Sequence, residues 1–599
     1  MKSISSPVDI RWLALVYLLL LFAGLIASLL ISSSTNWLPI ADSEAGKALL
    51  KNYNEASHFI FLTLLSIACI ILIRKAQEHN NKPKKNQKNN LDYLITSIKQ
   101  HPFVTGLFAF YTALMLQQAS WFYKEIISWY KDIFDNHLLD NFTLRWDLIK
   151  ETMFRNDFRF YPLSHQDLHI LSWLTPYVSI WMIVNAIELF TIVILGTKIA
   201  HQLSEKQARR ENVLLFSILF LFDAATGFTF FQFIYSERIV VLLFAFFAFH
   251  YIRHCKQNQA KDRFLAVFFA LLGLFFKDTA FLLFIIPALT VLAAGSAGLL
   301  ANKPKFSRHS IDEWAKAYQL EFCLCGLIII LSLSYLYLSY IPSLYAGVKA
   351  YDSYLRFSRF EPDARFIVLI LTSVIRLSLI IRRKASFSLL DALNASAITY
   401  AFGLYAMVGF RSSNYMALPV QFIATINLMV LWIWATESIP ASRGNLKTIS
   451  LAGVIASSCL IGAEHLGRDD FHHRIVTMKT THDSWVKTLD QLNQITKKTR
   501  ENGEEVNIIY AKSWFRNRGP LERLNHDRLI YFDFDSNKYT IMHGTDKGSS
   551  YIPQKGDFLV NIDTGTKRFE QFKFDMTPYR KIYDYSPDES NGMIYRRIR

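Results

Sequence analysis

FLAVFFALLGLFFKDTAFLLFIIPALTVLAAGSAG, residues 264–298, carries only two charges, Lys277 and Asp278, in an otherwise uncharged and mostly apolar run. A charge held in hydrocarbon costs several kcal/mol, so such a pair marks either a tight turn between two helices or a half-helix ending in a water-filled cavity. The first half, 264–276, is too short to cross about 30 Å of hydrocarbon by itself. Runs of the same kind lie on both sides of it, and together they read as membrane helices.

Counted by length and apolarity, the runs predict about 13 spans. They fall at 12–32, 58–74, 103–120, 171–197, 213–233, 239–253, 264–276, 279–298, 321–341, 366–382, 389–409, 420–437 and 448–465. The composition agrees: of 599 residues 52% are hydrophobic, 15% aromatic and only 19% charged. A soluble chain carries more charge than that. The stretch 12–31 is too long for a signal-peptide core and lacks a small-residue cleavage site, so it reads as a retained first helix.

The net charge of +16 invites a nucleic-acid reading. The basic residues instead cluster in short segments between apolar runs, at 74–88, 198–210, 253–263, 303–316, 382–384 and 443–447, as in cytoplasmic loops. No nucleic-acid partner is expected. With those loops inside, the N-terminus is cytoplasmic, and an odd number of spans puts the C-terminus outside. The expected location is a bacterial inner membrane. The Lys/Asn-rich stretch 80–90 reads as a disordered linker. None of the five cysteines lies after residue 460, so disulfides do not hold the tail, and Cys323-Leu-Cys325 lacks the second ligand pair of a metal site.

The expected fold class is therefore mainly α: a polytopic membrane helical bundle with a small C-terminal extracytoplasmic α/β domain. Residues 1–100 hold two N-terminal spans and the basic linker. Residues 101–466 form the main transmembrane module with a large outside loop, 121–170, and residues 467–599 the soluble domain. In the tail, 474–502 reads as an amphipathic helix stopped at Gly503, followed by strand-like runs at 506–510, 528–534, 557–562 and 593–597.

Polar residues at membrane depth are where function concentrates. The outside loop carries the acids Glu125, Asp132, Asp135, Asp140, Asp147, Glu151, Asp157 and Asp167, and ends on Arg159-Phe160-Tyr161-Pro162-Leu163. An Arg between aromatic residues suits phosphate recognition. Three short outside loops each carry a charged cluster: Tyr235-Ser236-Glu237-Arg238, Phe276-Lys277-Asp278-Thr279, and Arg411-Ser412-Ser413-Asn414-Tyr415. Helix capping alone would account for Ser236 and Glu237. Taken together, the clusters point to one polar cavity on the outer face.

In these residues the chain resembles the GT-C class of membrane glycosyltransferases, which take sugars from polyprenyl-phosphate carriers. Arg159-Phe160-Tyr161-Pro162-Leu163 resembles the class's Gly-Arg-Phe-x-Pro-Leu element, Glu237 its helix-starting Glu, Gly273-Leu-Phe-Phe-Lys277 its Gly-Leu-x-x-Lys turn, and Arg411, Tyr415 and Pro419 its late Arg–Tyr–Pro segment. The likeness covers about residues 100–440 and rests on the order and common side of the motifs. The chain departs from the pattern in two places. The acidic pair of the first large loop is Asp140-Asn141-Phe142 here, with Asn in place of the second acid, and Asp157 occupies the class's Gly position before Arg159. If the two helices before residue 80 are the class's first helix, Asp42 and Glu44 become the rival acids.

The resemblance implies sugar transfer from a polyprenyl-phosphate carrier in the membrane lipid to an extracytoplasmic glycan, lipid or protein. Asp140 would be the general base, with Asp135 and Asp42 as alternatives. Arg159, Tyr161, Glu237, Arg238, Lys277, Asp278, Arg411 and Tyr415 would bind the substrate, the cations stabilising the leaving phosphate. A lipid phosphate leaves without a nucleotide, so no cofactor is required, and a divalent metal is an option rather than a need. The rival readings are a polysaccharide or lipid translocator or polymerase, and a non-catalytic membrane scaffold.

Overall fold

A computed structural model describes residues 10–33, 38–79, 100–119, 153–154, 156–205, 211–232, 234–300, 311–347, 359–437, 439, 443–466, 470–511, 518–534, 536–561, 574–586 and 591–599. The chain is mainly helical, with a small sheet at its C-terminal end. The helices before the sheet are α1 (Ile10–Ser33), α2 (Glu44–Glu78), α3 (Pro102–Gln118), α4 (Gln166–Leu174), α5 (Val178–Ser204), α6 (Glu211–Leu221), α7 (Ala224–Phe231), α8 (Glu237–Gln257), α9 (Ala260–Gly273), α10 (Phe281–Ser296), α11 (Ile311–Ala317), α12 (Gln319–Tyr335), α13 (Ile341–Ala346), α14 (Ala364–Ile381), α15 (Leu389–Met407), α16 (Leu418–Thr436) and α17 (Arg443–Glu464).

Among the described residues eight helices are long and apolar enough to cross a membrane, or nine if α6 and α7, bent by 74° at their junction, form one span. This is consistent with an integral membrane protein. The exposed side chains fit: Leu18, Phe22 and Leu29 on α1 and Leu371, Val374 and Ile375 on α14 form apolar surfaces that water would disfavour. The thirteen apolar runs fall mainly on helices, although 171–197 is interrupted between α4 and α5 and 213–233 between α6 and α7. The runs beyond the eight or nine lie on α3, α9 and α10, which have 17, 14 and 16 residues, and on α15, which carries Asp391, Asn394 and Ser396.

Local chemistry sets the helix starts. Ser43 accepts from Gly46 N at 3.0 Å and starts α2. Asp363 accepts from Phe366 N at 2.9 Å and starts α14, while Ser388 and Asp391 form a reciprocal capping box on α15. α12 and α13 are joined by a π-helical turn, Leu336–Tyr340, which reaches the functional site.

The two ends of the bundle are chemically distinct. At one end the last turns of α5 and α8 meet, with Lys256 Nζ 2.8 Å from Glu205. A cavity of about 970 Å³ lies here, lined by Lys256, Arg376, Lys384 and Phe387 among others. The opposite end holds the start of α8 and the α9–α10 turn. By helical rise α9 and α10 are only about 21 and 24 Å long, less than the hydrocarbon thickness. The interruption at Lys277-Asp278 is thus a turn between two short helices.

The C-terminal part begins with α18 (Phe471–Glu501), capped by Asp470, and continues with β3 (Asn507–Ala511), α19 (Arg518–Glu522), β4 (Arg528–Asp533), β5 (Lys538–Gly544), β6 (Phe558–Asn561), β7 (Tyr579–Ser586) and β8 (Asn591–Arg597). A two-strand pair earlier in the chain supplies β1 (Phe360–Glu361) and β2 (Phe410–Arg411). The six-stranded sheet runs β5-β4-β3-β6-β8-β7, parallel across β4-β3-β6 and antiparallel outside it. α18 covers one face, burying Trp485 and Leu492, and at Gly592 a Cβ would come within 2.5 Å of Ser484 Oγ. Four of the strands were expected from the sequence. β5 and β7, the two edges, were not.

Candidate functional site

The segment bearing Arg159 and Tyr161 is bracketed by two residues in the left-handed region, Phe158 (φ 64°) and His165 (φ 66°). Neither is glycine, so each conformation costs of order 1 kcal/mol and must be held by its surroundings. Three hydrogen bonds do so. Phe158 N donates to Ser343 Oγ (2.9 Å), Ser339 Oγ donates to Arg159 O (2.9 Å), and Leu163 N donates to Phe275 O (3.0 Å). Ser339 belongs to the π-helical turn and Phe275 to the α9–α10 turn, so the segment is fastened on both sides.

That fastening brings Arg159 Nε onto the Asp278 carboxylate. Next to Asp278, Lys277 places its ammonium 2.8 Å from Glu237. Glu237 does not serve a cap: Ser236 makes no side-chain capping bond, and the carboxylate, on a residue 1% exposed, turns inward to Lys277. Arg238, the next residue and 2% exposed, binds the carboxylates of Asp167 and Glu188, the latter at 2.6 Å. Three ion-pair groups, Arg159–Asp278, Lys277–Glu237 and Arg238 with Asp167 and Glu188, thus follow one another in a row, linked by the sequence neighbours Lys277-Asp278 and Glu237-Arg238. In it three cations face four carboxylates.

Aromatic rings line this row. The Tyr161 ring lies under both Arg159 (5.3 Å to the centroid) and Lys277 (6.0 Å). Lys277 is also 5.8 Å from the Tyr415 ring, which stacks on Tyr235 with centroids 3.7 Å apart and planes 13° from parallel. Cation–ring contacts of this kind steady an ammonium without removing its charge. The cluster is recessed. Glu188 lies ten residues after the start of α5, about 15 Å along the helix from that end.

Arg411 also has a carboxylate partner. Its side chain pairs with Glu361 at 2.6 Å across the short β1–β2 ladder, in register Glu361↔Arg411. Four residues on, Tyr415 reaches Lys277. Asp42 is exposed in the turn before α2. Asp135 and Asp140 lie outside the described residues. Among the described residues no group of three or more His, Cys, Asp and Glu side chains has a metal-holding arrangement.

A second buried cluster was not anticipated. Arg365, fully buried at the start of α14, donates to both oxygens of Glu464 (2.7 Å each) and to Leu219 O (2.6 Å), with Asp223 at 3.7 Å. Asp223 caps α7 by accepting from Ala225 N and Thr226 N, so this cluster fixes the break between α6 and α7. Glu188 and Asp223 were open to detection, as acids inside the runs 171–197 and 213–233. Arg365, at the end of a polar loop, had no such signal.

Beside the cluster runs an apolar groove of about 710 Å³, lined by Tyr53, Ile60, Leu64, Leu271, Phe275 and Leu338 among others. Phe61 packs edge-on against Phe160 (6.5 Å) and Phe275 (4.8 Å), so this aromatic trio forms the wall between the groove and the Arg159 segment. Comparison with protein-family models and with curated proteins finds no match to this chain.

Proposed function

We propose that the chain is a GT-C-like membrane glycosyltransferase of about 13 spans, moving a sugar from a polyprenyl-phosphate carrier to an extracytoplasmic acceptor. The observation that carries this reading is the recessed row of ion pairs, Arg159–Asp278 and Lys277–Glu237, set against an apolar groove. The two features suit the two ends of a lipid phosphate. The polyprenyl tail lies in the groove, and the phosphate meets Arg159 and Lys277 across the Phe61–Phe160–Phe275 wall. Before it arrives both cations are compensated by Asp278 and Glu237, so neither is left bare at depth. On binding, the phosphate takes over part of that compensation, and the cations offset the charge that builds on it as the sugar leaves. Asp140, with Asp135 and Asp42 as alternatives, supplies the carboxylate that takes the acceptor proton. No step needs a metal, and none is assigned.

The 74° break at Asp223 favours a second reading, a lipid or polysaccharide translocator, because broken helices at depth are a feature of transporters. One experiment separates the two. The purified protein in vesicles is given a polyprenyl-phosphate carrier with a labelled sugar and a mixture of extracytoplasmic glycans. Transfer that falls at least about a hundredfold in Lys277→Met and Arg159→Gln supports the transferase. Carrier that crosses the bilayer with its sugar intact supports the translocator, and neither outcome leaves the scaffold.

A further inference from the structure

The C-terminal domain meets the bundle through the first turn of α18. Phe471 lies among Tyr111, Phe222 and Phe231, with ring centroids 6.1, 5.5 and 5.8 Å away. It sits over Gly227, where a Cβ would come within 2.7 Å of its ring. Phe471 thus seats the helix on α7, in a socket that admits no side chain at Gly227.

Three residues later Arg474 reaches the site. Its guanidinium lies over the Phe228 ring, 4.9 Å from the centroid, and its Nη2 donates to Ser413 Oγ at 3.3 Å. Phe228 is edge-on to both Tyr235 and Tyr415, at 5.4 Å from each. Those two tyrosines are the stack against which Lys277 rests. Ser413 belongs to the loop between Arg411 and Tyr415, so Arg474 holds both the ring behind the stack and the loop that carries half of it. A planar guanidinium can cover a ring with its face while donating in its plane; an ammonium does one or the other well.

We propose that Arg474 is a positioning residue, by which the C-terminal part sets the Tyr235–Tyr415 wall against Lys277. The consequence for carrier binding rests on the reading of Lys277 as a phosphate-binding residue; the positioning itself does not.

The test uses the full chain in lipid nanodiscs, with hydrogen exchange of peptides covering 226–236 and 409–418 and binding of a polyprenyl phosphate without sugar. Arg474→Ala and Ser413→Ala are expected to raise exchange at 409–418 several-fold, leave peptides from 528–544 unchanged, and weaken polyprenyl phosphate binding about tenfold. Arg474→Lys, which keeps the charge over Phe228, is expected to fall between Arg474→Ala and the parent. Unchanged exchange at 409–418 in Arg474→Ala overturns the positioning role, whatever the binding shows. If that variant does not accumulate, Ser413→Ala decides by the same comparison, since it removes one hydroxyl. Normal coupling in exchange together with no polyprenyl phosphate binding by the parent overturns the phosphate reading and keeps the positioning.

Discussion

Replacing Lys277 by Met should destabilise the protein by about 3–5 kcal/mol, the cost of leaving a buried carboxylate without its partner. Glu237 is 1% exposed, so water does not replace the ammonium now 2.8 Å away. The reverse change, Glu237→Gln, should cost less, about 1–3 kcal/mol. The ammonium keeps the Tyr161 and Tyr415 rings at 6.0 and 5.8 Å, and Asp278 remains beside it. The double variant Lys277→Met/Glu237→Gln has no unpaired charge and should come out near Glu237→Gln alone, a coupling of about 3–5 kcal/mol. Reversible unfolding in mixed micelles with increasing denaturing detergent, followed by tryptophan fluorescence, measures all four corners of the cycle. A coupling below about 0.5 kcal/mol would refute the pairing, because additivity within that margin is what independent sites give. The cycle also separates stability from function: the double variant should fold yet transfer no sugar.

Three further outcomes are expected. A reporter active only outside the cytoplasm, fused after Arg599, should be active; an inactive fusion on a correctly inserted protein removes the proposed topology. Asp140→Asn is nearly isosteric and keeps any capping role, so loss of sugar transfer with normal folding identifies the base, whereas full activity moves the search to Asp135 or Asp42. Burial pushes the His482 imidazole on α18 down to about 4 from its ordinary 6.5, so the unfolded chain takes up a proton before the folded one does. Stability should be fully present above about pH 6.5 and fall by about 3 kcal/mol towards pH 4. His482→Gln should flatten that slope in pH-dependent melting, and an unchanged slope assigns it to other groups.

The bundle was legible because membrane helices announce themselves by run length. The apolar runs became helices, two of them broken within the run, and Lys277 stood out because a charge in such a run has few alternatives. The span count was less legible: the run 264–276 was already short by sequence, but the helix breaks within 171–197 and 213–233 carry neither a pair of Gly or Pro residues nor a run of charges to mark them. Partners were not legible at all. Nothing in sequence spacing pairs Arg159 with Asp278 or Arg238 with Glu188, because those contacts are made by packing α4, α5, α8 and the α9–α10 turn together. Arg411 was expected in the same cavity from its common side; its ion pair with Glu361 had no signal in the sequence, and Tyr415, from the same loop, faces Lys277. In the tail, β5 and β7 escaped notice for the reason edge strands usually do. KYTIMHG and YRKIYDYS mix charges and hydroxyls into the alternation, which blunts the apolar signal and also discourages pairing with another chain.

The order of the ion pairs along the chain bears on how the protein is made. Synthesis runs from the N-terminus, so Asp167 and Glu188 are in place before Arg238 emerges, and Glu237 is in place before Lys277. Arg159 comes first and waits for Asp278, but it lies in a loop rather than in a helix that must partition into lipid. The α9–α10 hairpin, too short to be held well by hydrocarbon alone, therefore arrives with a carboxylate already waiting for the ammonium at its turn. Arg365 likewise follows Asp223, and Glu464 closes that cluster from the last apolar helix before the C-terminal sheet region. Until α17 is made, the break between α6 and α7 lacks its bidentate partner. Chains truncated before Glu464 should therefore be held back by membrane quality control, even though every helix that lines the site has already been translated.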